Sequence, residues 1–194
     1  MRILTRIILA LLAPAAVIPA LAPSALAQNV PRAEVAVTYA WVHTNAPPDG
    51  CGCFSMNGAN ASFAYRITPT ISLAGEAGGV TDGNVDSTGL DLTLSDYLAG
   101  ARYSLRHSSR FTPFGQLLFG VAHASGGLAP GNLGLGSSTA FAMTAGGGLD
   151  VNVSRHFAVR AFQTEYYLTL LPNRADDHQN NFRFSAGFVY RFGR

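Results

Sequence analysis

Hydrophobic and polar residues alternate with a period of two along most of the chain. In the closing stretch Phe182, Phe184, Ala186, Phe188, Tyr190 and Phe192 share one face, while Arg183, Ser185, Gly187, Val189 and Arg191 share the other. A period of two is that of a β-strand, not of a helix. The same reading places Val35, Val37, Tyr39 and Trp41 against Glu34, Ala36, Thr38 and Ala40. Ala61, Phe63 and Tyr65 oppose Ser62, Ala64 and Arg66, and Ile71, Leu73 and Ala77 oppose Ser72, Ala74 and Glu76. Tyr97, Ala99, Ala101 and Tyr103 oppose Asp96, Gly100 and Arg102. Three further runs are led by Leu117, Phe141 and Phe157; the last sets Arg160, Thr164 and Tyr166 on its second face. Leu118 and Phe162 break the alternation of their runs.

Eight strands of about ten residues match the length that a tilted strand needs to cross a bilayer, and an even count suits a closed antiparallel barrel. The connections at Thr68–Thr70, His107–Arg110 and Asn152–His156 are short. Those at Thr44–Gly58, Thr81–Leu92, Ala124–Thr139 and Leu168–Asn181 are long and rich in Gly, Asn, Asp and Pro. Short and long connections alternate strictly, as tight periplasmic turns and longer outer loops do in outer-membrane barrels. The expected fold is all-β: an eight-stranded antiparallel up-and-down transmembrane barrel, both termini on the periplasmic side. A soluble secreted barrel or sandwich would reverse the two faces, burying the aromatic residues and exposing the charges.

The N-terminal stretch has a different character. Two arginines within Met1–Arg6, the mostly apolar Ile7–Ala22 and the small-x-small run Ala25-Leu26-Ala27 read as a secretory signal peptide over residues 1–27. Prolines at 14, 19 and 23 argue against an uncleaved membrane helix. Residues 28–194 then form one barrel domain. Without the two signal arginines this segment holds 11 arginines, no lysine and 11 acids. The basic pI of the whole chain therefore implies no nucleic-acid partner.

The segment "GFVYRFG" and the run Gly146–Phe162 ("GGGLDVNVSRHFAVRAF") resemble the closing strands of the OmpA-type transmembrane domain, an eight-stranded outer-membrane barrel of Gram-negative bacteria. The resemblance implies a non-enzymatic envelope protein in contact with outer-membrane lipid. Its C-terminal strand is then read by the barrel-assembly machinery, although Gly193 and Arg194 follow Phe192 where the family pattern ends on an aromatic residue. Many relatives of this type add a peptidoglycan-binding domain after the barrel; the chain ends first, and that activity is not expected.

In a barrel of this size the interior is filled by side chains. The inward faces carry Glu34, Glu76, Asp150, Arg66, Arg102, Arg160, Arg183, Arg191 and Gln116. A charge in a narrow lumen is costly unless paired. Asp150 and Arg160 flank a short turn symmetrically, and Glu76 and Arg102 lie at similar distances from their turns. Two stacked ion pairs follow, Glu76 with Arg102 and Asp150 with Arg160, and the lumenal carboxylate–cation network of the resembled family implies the same. Such a network acts as a structural plug, or as a gate that opens a narrow solute channel when pairs exchange.

Cys51-Gly52-Cys53 in the first long loop is a candidate disulfide, strained by the single intervening residue. Two thiols beside His43 are too few for a metal site, and no cofactor is expected. His123-Ala124-Ser125 has the His-x-Ser spacing of barrel enzymes that deacylate lipid A, as does His107-Ser108-Ser109 in a turn. A histidine can serve as base for a serine nucleophile, but no acid follows the His123 pair before Asp150 to orient it, and the His107 pair falls in a periplasmic turn. The expected role is structural, adhesive or surface-binding, with an unknown surface ligand on the outer loops.

Overall fold

The computed structural model describes residues 31–44, 54–85, 89–106, 110–127, 129, 136–172 and 178–193. The expected signal peptide at residues 1–27, Cys51, Cys53 and the His107–Ser109 stretch lie outside the described residues. Eight strands follow in chain order: β1 (Ala33–Thr44), β2 (Phe54–Arg66), β3 (Ile71–Asp82), β4 (Leu92–Ser104), β5 (Phe111–Gly126), β6 (Gly136–Asn152), β7 (Phe157–Thr169) and β8 (Gln179–Phe192). Each pairs antiparallel with the next, and β8 pairs with β1 to close the barrel. Closure leaves no open strand edge, which is what permits a sheet to span a membrane. No helix of the described residues is long and apolar enough to cross a membrane.

The strands run further toward the long loops than the alternation suggests. Thr44 pairs with Phe54, so β2 begins four residues before Gly58, and Gly126 pairs with Gly136. Met56 continues the inward row of β2 and is 1 % exposed.

The aromatic face points outward. Val37, Leu73, Tyr97 and Phe188 are all more than half exposed to the surroundings of the isolated barrel. Aromatic side chains gather near both ends. Trp41 meets Phe182 edge-on at 6.5 Å toward the loops, and Phe157, Tyr190 and Phe192 form a chain with ring separations of 5.0 and 6.1 Å toward the turns. These two belts sit where aromatic girdles meet the headgroup regions of a bilayer.

One irregularity changes the interior. Between Arg160 and Gln163 the pairing of β7 with β8 slips by one residue, and the pairing with β6 slips beside it. Ala161 is the extra residue, and both Ala161 and Phe162 face outward. A bulge reverses the strand's alternation. Beyond it Gln163, Glu165, Tyr167 and Thr169 point inward, while Thr164 and Tyr166, expected on the face of Arg160, point outward or sit at the wall.

Candidate functional site: a two-layered lumenal charge network

The inward rows bring five arginines and five carboxylates into one closed lumen, and they sort by height into two clusters. Toward the loops, Arg183 of β8 is surrounded by Glu76 of β3, Asp96 of β4 and Glu165 of β7. Its Nε and Nη2 donate to Glu165 Oε2 at 2.9 and 2.7 Å, its Nη1 donates to Asp96 Oδ2 at 2.9 Å, and Nη2 also donates to Glu76 Oε1. The guanidinium carbon stands 5.1 Å from the centre of the Tyr167 ring, a cation–π contact in addition to the ion pairs.

Toward the turns the balance is reversed. Arg102 Nη1 donates to Glu34 Oε1 at 2.6 Å, Arg191 Nε donates to Glu34 Oε2 at 3.4 Å, and Arg106 Nη2 lies 3.6 Å from the same oxygen. Arg160 holds Asp150 through two bonds, Nε to Oδ1 at 2.9 Å and Nη2 to Oδ2 at 3.3 Å, and its Nη1 donates to Gln163 Oε1 at 2.8 Å. The Phe114 ring lies between two guanidiniums, with centroid distances of 4.7 Å to Arg102 and 4.5 Å to Arg160. Gly148 makes room for that ring, since a Cβ there would stand 3.0 Å from Phe114 Cζ and 2.3 Å from the Phe162 carbonyl oxygen.

Gln116 joins the clusters. Its Nε2 donates to Glu165 Oε1 at 2.8 Å and its Oε1 accepts from Arg102 Nε at 2.9 Å. The charged core is dry: Arg102, Asp150, Arg160, Glu165 and Arg183 are each 1 % exposed. On the loop side of these groups Met56, Val80 and Leu94 bring apolar side chains into the lumen, beside the buried polar Thr44, Thr169 and Asn181, while Val42 and Leu98 stand level with Arg183 and Glu76.

Asp150 and Arg160 are opposite each other in the β6–β7 register and ion-paired at 2.9 Å. The pairing expected of Glu76 with Arg102 is corrected. The residue opposite Arg102 on β3 is Ser72, while Glu76 faces Leu98, four positions away. Counting from each strand's own turn ignores the stagger that strand tilt imposes in a barrel. Both side chains instead cross the lumen, Arg102 to Glu34 on β1 and Glu76 to Arg183 on β8. Three participants were absent from the inward set. Asp96 stands on the polar face of its strand and was legible there; Arg106 lies just beyond β4; Glu165 is turned inward only by the bulge.

The carboxylates are engaged by guanidiniums, and no three metal-ligating side chains gather into a site among the described residues. The His123–Ser125 pair faces outward on β5. His123 Nδ1 shares a 2.7 Å hydrogen bond with Thr139 Oγ1, and the register partners of Ser125 are Thr93 and Ser137. The neighbouring rim carboxylate, Asp91, accepts the Gly127 backbone N–H at 3.0 Å. A hydroxyl thus stands where a base-orienting carboxylate would be required.

A closed antiparallel barrel with an aromatic-girdled outer face and an ion-paired interior is a transmembrane β-barrel. The chain belongs to the outer membrane protein beta-barrel domain family, whose model matches residues 8–192. Its place is the bacterial outer membrane, with the short turns toward the periplasm.

Solved structures share the fold. Neisserial surface protein A is 17 % identical, with 85 % of this chain and 100 % of that one covered at a TM-score of 0.62. Ail, the attachment invasion locus protein of Yersinia pestis, is 19 % identical over 83 % of this chain and 99 % of its own, with a TM-score of 0.56. OprG from Pseudomonas aeruginosa is 12 % identical over 85 % and 98 %, with a TM-score of 0.50. At these identities the likeness is one of fold. No curated protein matches the chain.

Proposed function

We propose that the protein is a non-enzymatic outer-membrane barrel that acts through its four outer loops, in envelope structure, adhesion or surface binding, rather than through its lumen. The observation that carries this reading is the occupied interior: two interlocked ion-pair clusters of buried side chains stand across the lumen and leave little room for a solute path. Function then falls to loops held on a rigid scaffold, where binding sites commonly lie. Residues 1–27 serve as the export signal, β8 presents Phe188, Tyr190 and Phe192 to the assembly machinery, and the outward aromatics rest against lipid.

Charge narrows the class of surface ligand. Asp49, Asp82, Asp86, Asp91, Asp176 and Asp177 lie in or beside the long loops, with Arg174 as the single arginine there. Ail has been solved with the heparin analogue sucrose octasulfate. Loops as acidic as these repel a sulfated glycan and favour a neutral or basic surface.

The test is expression in an outer membrane depleted of other barrels, measuring attachment to surfaces and uptake of small sugars. Attachment that falls when the loops are replaced by short turns, with uptake unchanged, supports the proposal. Uptake that follows expression, with attachment indifferent to the loops, supports the narrow-channel reading instead.

A further inference from the structure

The two clusters carry opposite formal charge: Arg183 alone faces three carboxylates, whereas arginines outnumber acids toward the turns. Among the described residues Arg102, Arg106, Arg160 and Arg191 pair with two carboxylates, Glu34 and Asp150, a formal excess of two positive charges. Among the described residues three guanidinium nitrogens of this group have no hydrogen-bond acceptor although buried: Arg102 Nη2, Arg106 Nε and Arg191 Nη2, the last lying 3.6 Å from Asp150 Oδ2. Arg102 and Arg191 are 1 % and 5 % exposed. A buried guanidinium donor without an acceptor is costly, more so where like charges meet. Both carboxylates of the cluster already receive hydrogen bonds from these arginines.

Toward the loops the Arg183 cluster stands across the lumen, joining β8 to β3, β4 and β7. Toward the turns the side chain of Arg106 is 15 % exposed, and Arg66 ends β2 at the same rim, half-buried. An anion from the periplasmic side meets Arg106 first, with Arg191 and Arg102 behind it.

We propose that the periplasmic mouth of the lumen is an oxyanion site, in which Arg106, Arg191 and Arg102 take up a phosphate group. Guanidinium forks match phosphate oxygens in geometry, and three unfilled donors suit a tetrahedral oxyanion better than a two-oxygen carboxylate. A terminal phosphate carries about −1.5 to −2 charges near neutral pH and the diester of a phospholipid headgroup carries one, so either brings the sign of charge that the arginine-rich layer attracts. The group is supplied by free phosphate or by a phospholipid headgroup of the inner leaflet.

The test uses the refolded protein in maltoside micelles, which contain no phosphate, with arginine Nε–H resonances followed by NMR. Inorganic phosphate is titrated against sodium chloride at matched ionic strength. The site predicts saturable shifts at Arg106 and Arg191 that chloride does not reproduce, with binding about tenfold weaker in Arg106→Gln. Arg106→Lys, which keeps the charge but loses the fork, falls between and serves if the glutamine variant does not fold. Phosphatidylglycerol added to the micelles separates the sources: competition assigns the site to lipid headgroups as well, and its absence assigns it to free phosphate. Shifts that do not saturate, that chloride matches, or that persist undiminished in a folded Arg106 variant overturn the proposal.

Discussion

Gln116 on β5 donates its side-chain amide to Glu165 on β7 across 2.8 Å, skipping the intervening strand. Its other end accepts from Arg102, so a single neutral side chain ties an acid-rich layer to an arginine-rich one. The lumen is thereby a single network, and no isolated pair within it can exchange partners without disturbing the rest.

Removal of Arg183 tests how dry that network is. Arg183→Met leaves Glu76, Asp96 and Glu165 facing one another without a cation, and removal of one partner from a buried ion pair costs about 3–5 kcal/mol. Urea unfolding from lipid vesicles is expected to show a loss of that order. Neutralising the three acids as well, with Glu76→Gln, Asp96→Asn and Glu165→Gln, is expected to recover most of it. A loss below about 1 kcal/mol, the size seen for solvated pairs, would mean that water fills the lumen.

Ala161 is the one residue of β7 without a counterpart on β6 or β8. Its deletion restores regular pairing while keeping Arg160 and Glu165 inward. The deletion variant is expected to fold to a barrel whose gel migration still shifts on boiling. One alanine inserted between Gln163 and Thr164 turns Glu165 and Tyr167 toward lipid and is expected to abolish the shift. Equal behaviour of the two variants would show that the bulge does not set the facing of β7.

Trp41, the single tryptophan of the chain, lies on the outer wall near the loop end, stacked on His43 at 5.6 Å and edge-on to Phe182. Its fluorescence is expected to be quenched more by lipids brominated close to the headgroup than by those brominated near the chain end. Deeper quenching, or none, would contradict the placement of that belt.

Much of the fold is legible in the residues because alternation is a direct readout of a two-faced wall. Phe188 and Arg191 declare their faces by chemistry alone, and the strict succession of short and long connections gives the topology. The interior is less legible for two physical reasons. Stagger between tilted strands moves Glu76 four positions from Arg102, a displacement that counting from the turns does not reveal. The bulge at Ala161 then reverses the sense of the residues after it, so Glu165 reads as outward until the register is seen; Phe162, out of step in its run, was the only sign. Contacts across the lumen, such as Arg183 to Asp96, join strands far apart in sequence and follow only from closure. Apolar side chains inside the lumen are signalled by Leu118 and by Leu98, which stands between Asp96 and Gly100 on a face otherwise read as polar.

The most direct measurement is single-channel recording across planar lipid bilayers, on protein whose folded state is first established by heat-modifiable migration. A lumen filled by the Arg183 cluster and the Arg102–Glu34 cluster predicts a silent membrane at moderate voltages. Sustained, reproducible opening events from the folded barrel would contradict the plugged interior and place function in the lumen after all.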